Sequence, residues 1–152
     1  MIIAVDFDGT LFRDAFPAVG EVMPGAVDAM RELHLRGHYL IIWTCRHGDR
    51  LLDAVNALVA HSIPFDRIND HNPDNVTKYG GESGKKVYAD VYIDDRNLGG
   101  FPGWEAAIRI VDEMEAEYAG DRFDAADAFA VGVEAIRRGV LSCRGHIPLF
   151  EQ

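Results

Sequence analysis

The chain has 152 residues, 48% of them hydrophobic, which suits one domain with a substantial core. Its formal charge of −10 argues against holding nucleic acid or an anionic membrane through net charge, but leaves room for a local basic site that grips a phosphate. Two cysteines, Cys45 and Cys143, are too few for a disulfide framework, and no apolar run is long enough to span a bilayer; with a start that enters a strand directly, the sequence reads as a soluble cytoplasmic protein with no membrane partner.

The first element is the run Met1-Ile2-Ile3-Ala4-Val5, which ends in Asp6-Phe7-Asp8-Gly9-Thr10. An uninterrupted apolar run that stops at a glycine predicts a strand buried on both faces, with Asp6 and Asp8 at its carboxyl end. Residues 11 to 23 lack a period and predict a turn and a short flap over that end. Pro24 and Gly25 open a helix whose inward side is Ala26, Val27, Met30, Leu33 and His34, and Gly37 closes it. His38 to Trp43 predicts a second strand, ending in Thr44-Cys45-Arg46. A helix from about Asp49 to His61 follows, with Leu51, Leu52, Val55, Leu58 and Val59 inward, and Phe65 to Ile68 predicts a short third strand. Residues 69 to 84 form a polar, glycine-bearing loop. Val87 to Ile93 predicts another buried strand, ending in Asp94-Asp95-Arg96, and helices are expected over 104 to 118 and 123 to 138.

Strands that alternate with helices predict an α/β fold, a Rossmann-like parallel sheet flanked by helices. The expected organisation is a single domain over 1 to 152, with 119 to 152 a C-terminal helical extension. In a parallel sheet the carboxyl ends of all strands lie on one edge, where open α/β sheets place their ligands. Asp6, Asp8, Thr44, Asp94 and Asp95 should therefore meet. Carboxylates held this close repel one another, and a divalent cation offsets that most economically. Acids for a hard cation, beside a hydroxyl and a lysine for phosphoryl oxygens, outline a phosphoryl-transfer site. Arg46 and Arg96, each just after a strand end, are expected at the rim, where either could take a substrate's second anion. Cys45 reads as a small buried filler, and the six histidines show no metal-ligand spacing.

At these residues the chain resembles a known family. Asp6-Phe7-Asp8-Gly9-Thr10 is similar to the first motif of the haloacid dehalogenase (HAD) superfamily of phosphohydrolases. Ile41-Ile42-Trp43-Thr44 resembles its second, Lys86 its third and Tyr92-Ile93-Asp94-Asp95 its fourth, all in order across residues 1 to 97. The resemblance implies a HAD-like fold and a phosphomonoesterase, with Asp6 as the nucleophile that forms an aspartyl-phosphate. It implies Asp8 as the acid and base, and Mg²⁺ held by the Asp6 carboxylate, the Asp8 carbonyl and the Asp94 carboxylate. Thr44 and Lys86 would hold the transferring oxygens, with Lys85 the alternative lysine and Lys78 a more distant one. Asp95 would assist the metal through its water shell or orient Lys86; Arg46 is expected to bind substrate by its place after the second motif, not by the resemblance.

Neither interval between the motifs has room for an inserted cap domain, so the expected site is open. An open site suits a polynucleotide or protein end, or a small phosphorylated molecule covered by other parts of the protein. A homodimer is one way to supply that cover. Two rivals stand beside the phosphatase: a receiver-like phospho-acceptor, and a phosphate-binding module without turnover. Receivers carry the phosphorylated aspartate on a middle strand, whereas here the DxD pair comes first.

Overall fold

The structure is a computed structural model that describes residues 1–118. The chain divides into two compact units, residues 1–109 and 110–152, and only 110–118 of the second, which are helical, are described. The expected helix over 123–138 and Cys143 lie outside the described residues. No helix among the described residues is long and apolar enough to cross a membrane.

The first unit contains β1 (Ile2–Val5), α1 (Ala26–Leu35), β2 (Tyr39–Ile42), α2 (Gly48–Ala60), β3 (Arg67–Ile68), α3 (Pro73–Lys78) and β4 (Val91–Ile93). The sheet has the order β3-β2-β1-β4 and is parallel throughout, an α/β arrangement as the alternation of elements predicts. β1 is an inner strand and carries Ile3, Ala4 and Val5 fully inside; Leu40, Ile41 and Ile42 do the same on β2. Ala4, Ile41 and Val87 form one buried cluster, with Ile2, Tyr39, Trp43 and Tyr92 packed around it. Val5 pairs with Ile42 on one side and with Ile93 on the other. The three strands therefore end level, and Asp6, Trp43 and Asp94 each stand one residue past the ladder.

The two edge strands are shorter than their apolar runs suggest, and the same device starts each. Asp90 accepts the Ile2 N–H at 2.7 Å through its side chain, and its own N–H reaches the Ile2 carbonyl at 2.8 Å. Asp66 treats Leu40 identically, with its side chain on the Leu40 N–H at 2.7 Å and its N–H on the Leu40 carbonyl at 2.8 Å. A carboxylate thus stands in for the first ladder acceptor at both edges. Val87 is apolar because it fills the core cluster, without belonging to a strand.

Two helical expectations and one loop expectation are corrected. In α1 the inward residues are Ala26, Ala29, Met30 and Leu33, while His34 faces water. In α2 the buried stripe is only Ala54 and Leu58, and Leu52 and Val59 point out. The polar loop at 69–84 contains α3, whose start is encoded in Asn72-Pro73: the Asn72 side chain accepts the Asn75 N–H at 2.9 Å and proline occupies the first turn.

Candidate active site

β1 has β2 on one side and β4 on the other, so the chain's path reverses at the β1–β4 boundary. Crevices at such a reversal are where open α/β sheets bind ligands. Asp6 leaves β1 there, its N–H bonded to the Ile93 carbonyl at 2.9 Å, and Asp94 and Asp95 leave β4 beside it. Asp6, Asp94 and Asp95 each offer a ligand atom within 4.8 Å of the others. Burial pushes the Asp6 carboxyl up to about 7; the Phe7 backbone hydrogen bond opposes this, and the charges of Asp94, Asp95 and Asp8 add to it. Asp95 is also pushed up, by burial first and by Asp94 next.

Gly9 sets how close these strand ends come. Its φ is +88°, and a Cβ built there would lie 2.4 Å from the Asp95 Oδ2. Both the backbone conformation and the contact exclude a side chain. Thr10, fully buried, is tied in twice: its hydroxyl lies 3.5 Å from the Asp6 Oδ2, and its carbonyl accepts the Trp104 Nε1–H at 3.0 Å.

The second acid of the DxD pair faces elsewhere. Asp8 accepts two hydrogen bonds from Arg46, Nε to Oδ2 and Nη2 to Oδ1, both at 2.7 Å. Nη2 also donates to the Ala18 carbonyl at 2.6 Å and Nη1 to the Pro17 carbonyl at 3.2 Å. The guanidinium lies over the Phe7 ring at 5.1 Å and the Phe16 ring at 5.4 Å. Arg46 is only 2% exposed, and the Asp8 hydrogen bonds hold its pKa above the ordinary arginine value. The sequence reading placed Arg46 at the rim. The structure buries it as the buckle between the strand end and the flap over residues 11–23, because a bidentate carboxylate and two loop carbonyls satisfy it there. The flap itself is held by Phe12, which is buried and stacked on Phe7 at 4.6 Å, and by the Arg13 N–H on the Glu21 carbonyl at 2.8 Å.

Thr44 is fixed by a residue that sequence reasoning missed. The Asn69 side chain accepts the Thr44 N–H at 2.8 Å and donates to the Thr44 carbonyl at 2.8 Å. The Thr44 hydroxyl accepts the Arg46 N–H at 3.2 Å. Asn69 follows β3 with a φ of +50°, a conformation asparagine tolerates better than most residues. The signal was available, since Asn69 ends a strand on the same sheet edge.

A cleft of about 570 Å³ collects these groups: Asp6, Asp8, Thr44, Arg46, Asp94 and Asp95 line it together with Asp14, Phe16, Trp43, Cys45 and Arg96. Of the site residues singled out from the sequence, the structure thus brings seven to one place: Asp6, Asp8, Thr44, Arg46, Asp94, Asp95 and Arg96. Lys86 is not among the lining residues; it is exposed, with its ammonium 4.8 Å from the centre of the Tyr92 ring. Cys45 is exposed in the cleft, contrary to the expected filler role, because its neighbour Arg46 takes the inward position.

No family model matches the chain, and no curated protein matches it. A solved structure does: the conserved protein coded by a locus from Bacteroides thetaiotaomicron, at 38% identity and a TM-score of 0.67, covering 75% of this chain and 91% of that one.

Proposed function

The chain belongs to the same family as the conserved Bacteroides thetaiotaomicron protein, and we propose that it is a HAD-like, Mg²⁺-dependent phosphomonoesterase that works through an aspartyl-phosphate on Asp6. The observation that carries this reading is the convergence of Asp6, Asp94 and Asp95 beside Thr44 at the β1–β4 reversal. The donor set fits the cation: three carboxylates offer the hard oxygen ligands that Mg²⁺ prefers. It also fits energetically, since a divalent charge offsets the burial, and then the neighbouring carboxylates, that push Asp6 up to about 7. When bound, Mg²⁺ supplies charge neutralisation at the phosphoryl oxygens and keeps the nucleophile ionised.

The chain's own residues divide the work. An Asp6 oxygen attacks phosphorus and the ester oxygen leaves, taking a proton from Asp8. Water then attacks the aspartyl-phosphate, Asp8 accepts its proton, and inorganic phosphate and free Asp6 result. The Arg46 guanidinium, bonded to both oxygens of Asp8, fixes that carboxyl's position for both proton transfers. Thr44 enters through its place in the cleft and the motif; Lys86 enters through the motif resemblance. The intervals between β1 and β2 and between β2 and β4 hold only the flap, α1, α2, β3 and α3, which supports a site without an inserted cap.

The test is release of phosphate from p-nitrophenyl phosphate with Mg²⁺. Turnover should vanish in excess EDTA and fall by about three orders of magnitude or more in Asp6→Asn. Full activity in either condition contradicts the mechanism. A receiver-like acceptor would instead become phosphorylated once and release little phosphate.

A further inference from the structure

Phe16 has no part in the chemistry proposed above, yet it is a large apolar side chain held 61% exposed at the cleft. Its position is fixed from three directions. Its N–H donates to the Asp14 Oδ1 at 3.2 Å, its ring covers the Arg46 guanidinium at 5.4 Å, and the next two carbonyls, of Pro17 and Ala18, are bonded to the same guanidinium. One face of the ring is therefore anchored and the rest is open. A second aromatic, Trp43, lines the same cleft and is half-buried against the cluster of Ala4, Ile41 and Val87. At about 570 Å³ the cleft holds far more than a phosphoryl group, and volumes of this order suit a whole organic ligand.

We infer, building on the phosphomonoesterase reading, that the substrate is a small phosphate monoester whose leaving group carries a planar aromatic ring, as a nucleoside monophosphate does, and that this ring rests on Phe16. Aromatic faces accept planar rings through stacking that a saturated ring of the same size does not match. The cation beneath Phe16 fixes the platform before substrate arrives, so little ordering cost remains on binding. Charge favours a small ester over a polynucleotide. Asp14 adds a carboxylate to the lining, the chain carries −10, and the exposed cation among the lining residues is Arg96. A chain of phosphodiesters would meet repulsion that one phosphate, seated at the proposed Mg²⁺ site, avoids.

The test compares 2-phenylethyl phosphate with 2-cyclohexylethyl phosphate, which differ in the ring and hardly in the leaving oxygen. With Mg²⁺ the phenyl ester should show about tenfold higher kcat/KM. In Phe16→Leu, which keeps an apolar side chain and removes the π face, that ratio should fall to about two or less, and Phe16→Tyr should restore it. The same pair as non-hydrolysable phosphonates, titrated calorimetrically against the wild-type protein with Mg²⁺, reads ring preference without turnover. Equal binding of the two phosphonates, or a preference that survives in folded Phe16→Leu, overturns the inference and leaves the phosphatase reading intact. Preferential phenyl binding with no hydrolysis of either ester or of p-nitrophenyl phosphate sustains the ring site and overturns the phosphatase.

Discussion

Asp6→Asn should make the cation-free protein more stable above neutral pH. Asp6 has an ordinary value of 3.8 in the unfolded chain and about 7 in the fold, because burial and three neighbouring carboxylates disfavour its charge. Between those values the native state holds a proton that the unfolded state has lost. Stability is therefore greatest below about 4, falls as pH rises through that window, and levels off above about 7. At about 1.36 kcal/mol per unit the shift sets a ceiling near 4 kcal/mol. Asp6 is partly exposed, and solvent screening reduces this to on the order of 2 kcal/mol. Asparagine does not titrate and still accepts the Phe7 N–H. Urea unfolding in EDTA should show Asp6→Asn and wild type alike near pH 4, and the variant ahead by about 2 kcal/mol at pH 8. A divalent cation at a hundredfold its Kd should add about 2.7 kcal/mol to the wild type and much less to the variant, reversing the order. A wild-type protein at least as stable as Asp6→Asn at pH 8 in EDTA would refute the view that Asp6 is held ionised at a cost.

Arg46→Ala strands Asp8 and two flap carbonyls, and should cost about 3–5 kcal/mol in chemical denaturation. It should also expose residues 13–22 to limited proteolysis; an unchanged cleavage pattern would show that the flap does not depend on the buckle. Gly9→Ala must adopt a φ of +88° and displace Asp95, so it should lose about 1–3 kcal/mol and weaken Mg²⁺ binding, read by calorimetry. Trp104→Phe keeps the ring and loses the bond to the Thr10 carbonyl, and should cost about 1 kcal/mol in urea.

The inner strands were legible because β1 and β2 are buried apolar runs with sharp ends, and a parallel sheet then dictates that their tips converge. Asp6, Thr44, Asp94 and Asp95 follow from that one rule. Arg46 did not, because an arginine after a strand reads as a surface cation until its partners are known; Pro17 and Ala18 offer only backbone carbonyls, which carry no side-chain signal. Asn69 escaped for a related reason: its role is a two-way bond to the Thr44 backbone. Strand lengths at the edges were overestimated because core filling and ladder pairing both select apolar residues, as Val87 shows. α3 was hidden by composition, its Asn-Pro start being as common in turns as in helix caps.

The pairing of β1 with its two neighbours has a consequence for the order of assembly. β1 meets β2 across a short stretch of chain, Ile2 facing Tyr39. Its contact with the β4 edge closes a far longer loop, with Ile2 and Asp90 88 positions apart. Short closures form sooner than long ones. Of the acids that meet at the site, the first sheet to form thus carries only Asp6 and Asp8 at its tip. Asp94 and Asp95 arrive with the last inner pairing, so carboxylate crowding acts on the docking of a single strand. A cation would accordingly act as a latch on that strand, slowing amide exchange at Val91–Ile93 while leaving the β1–β2 pair as it was.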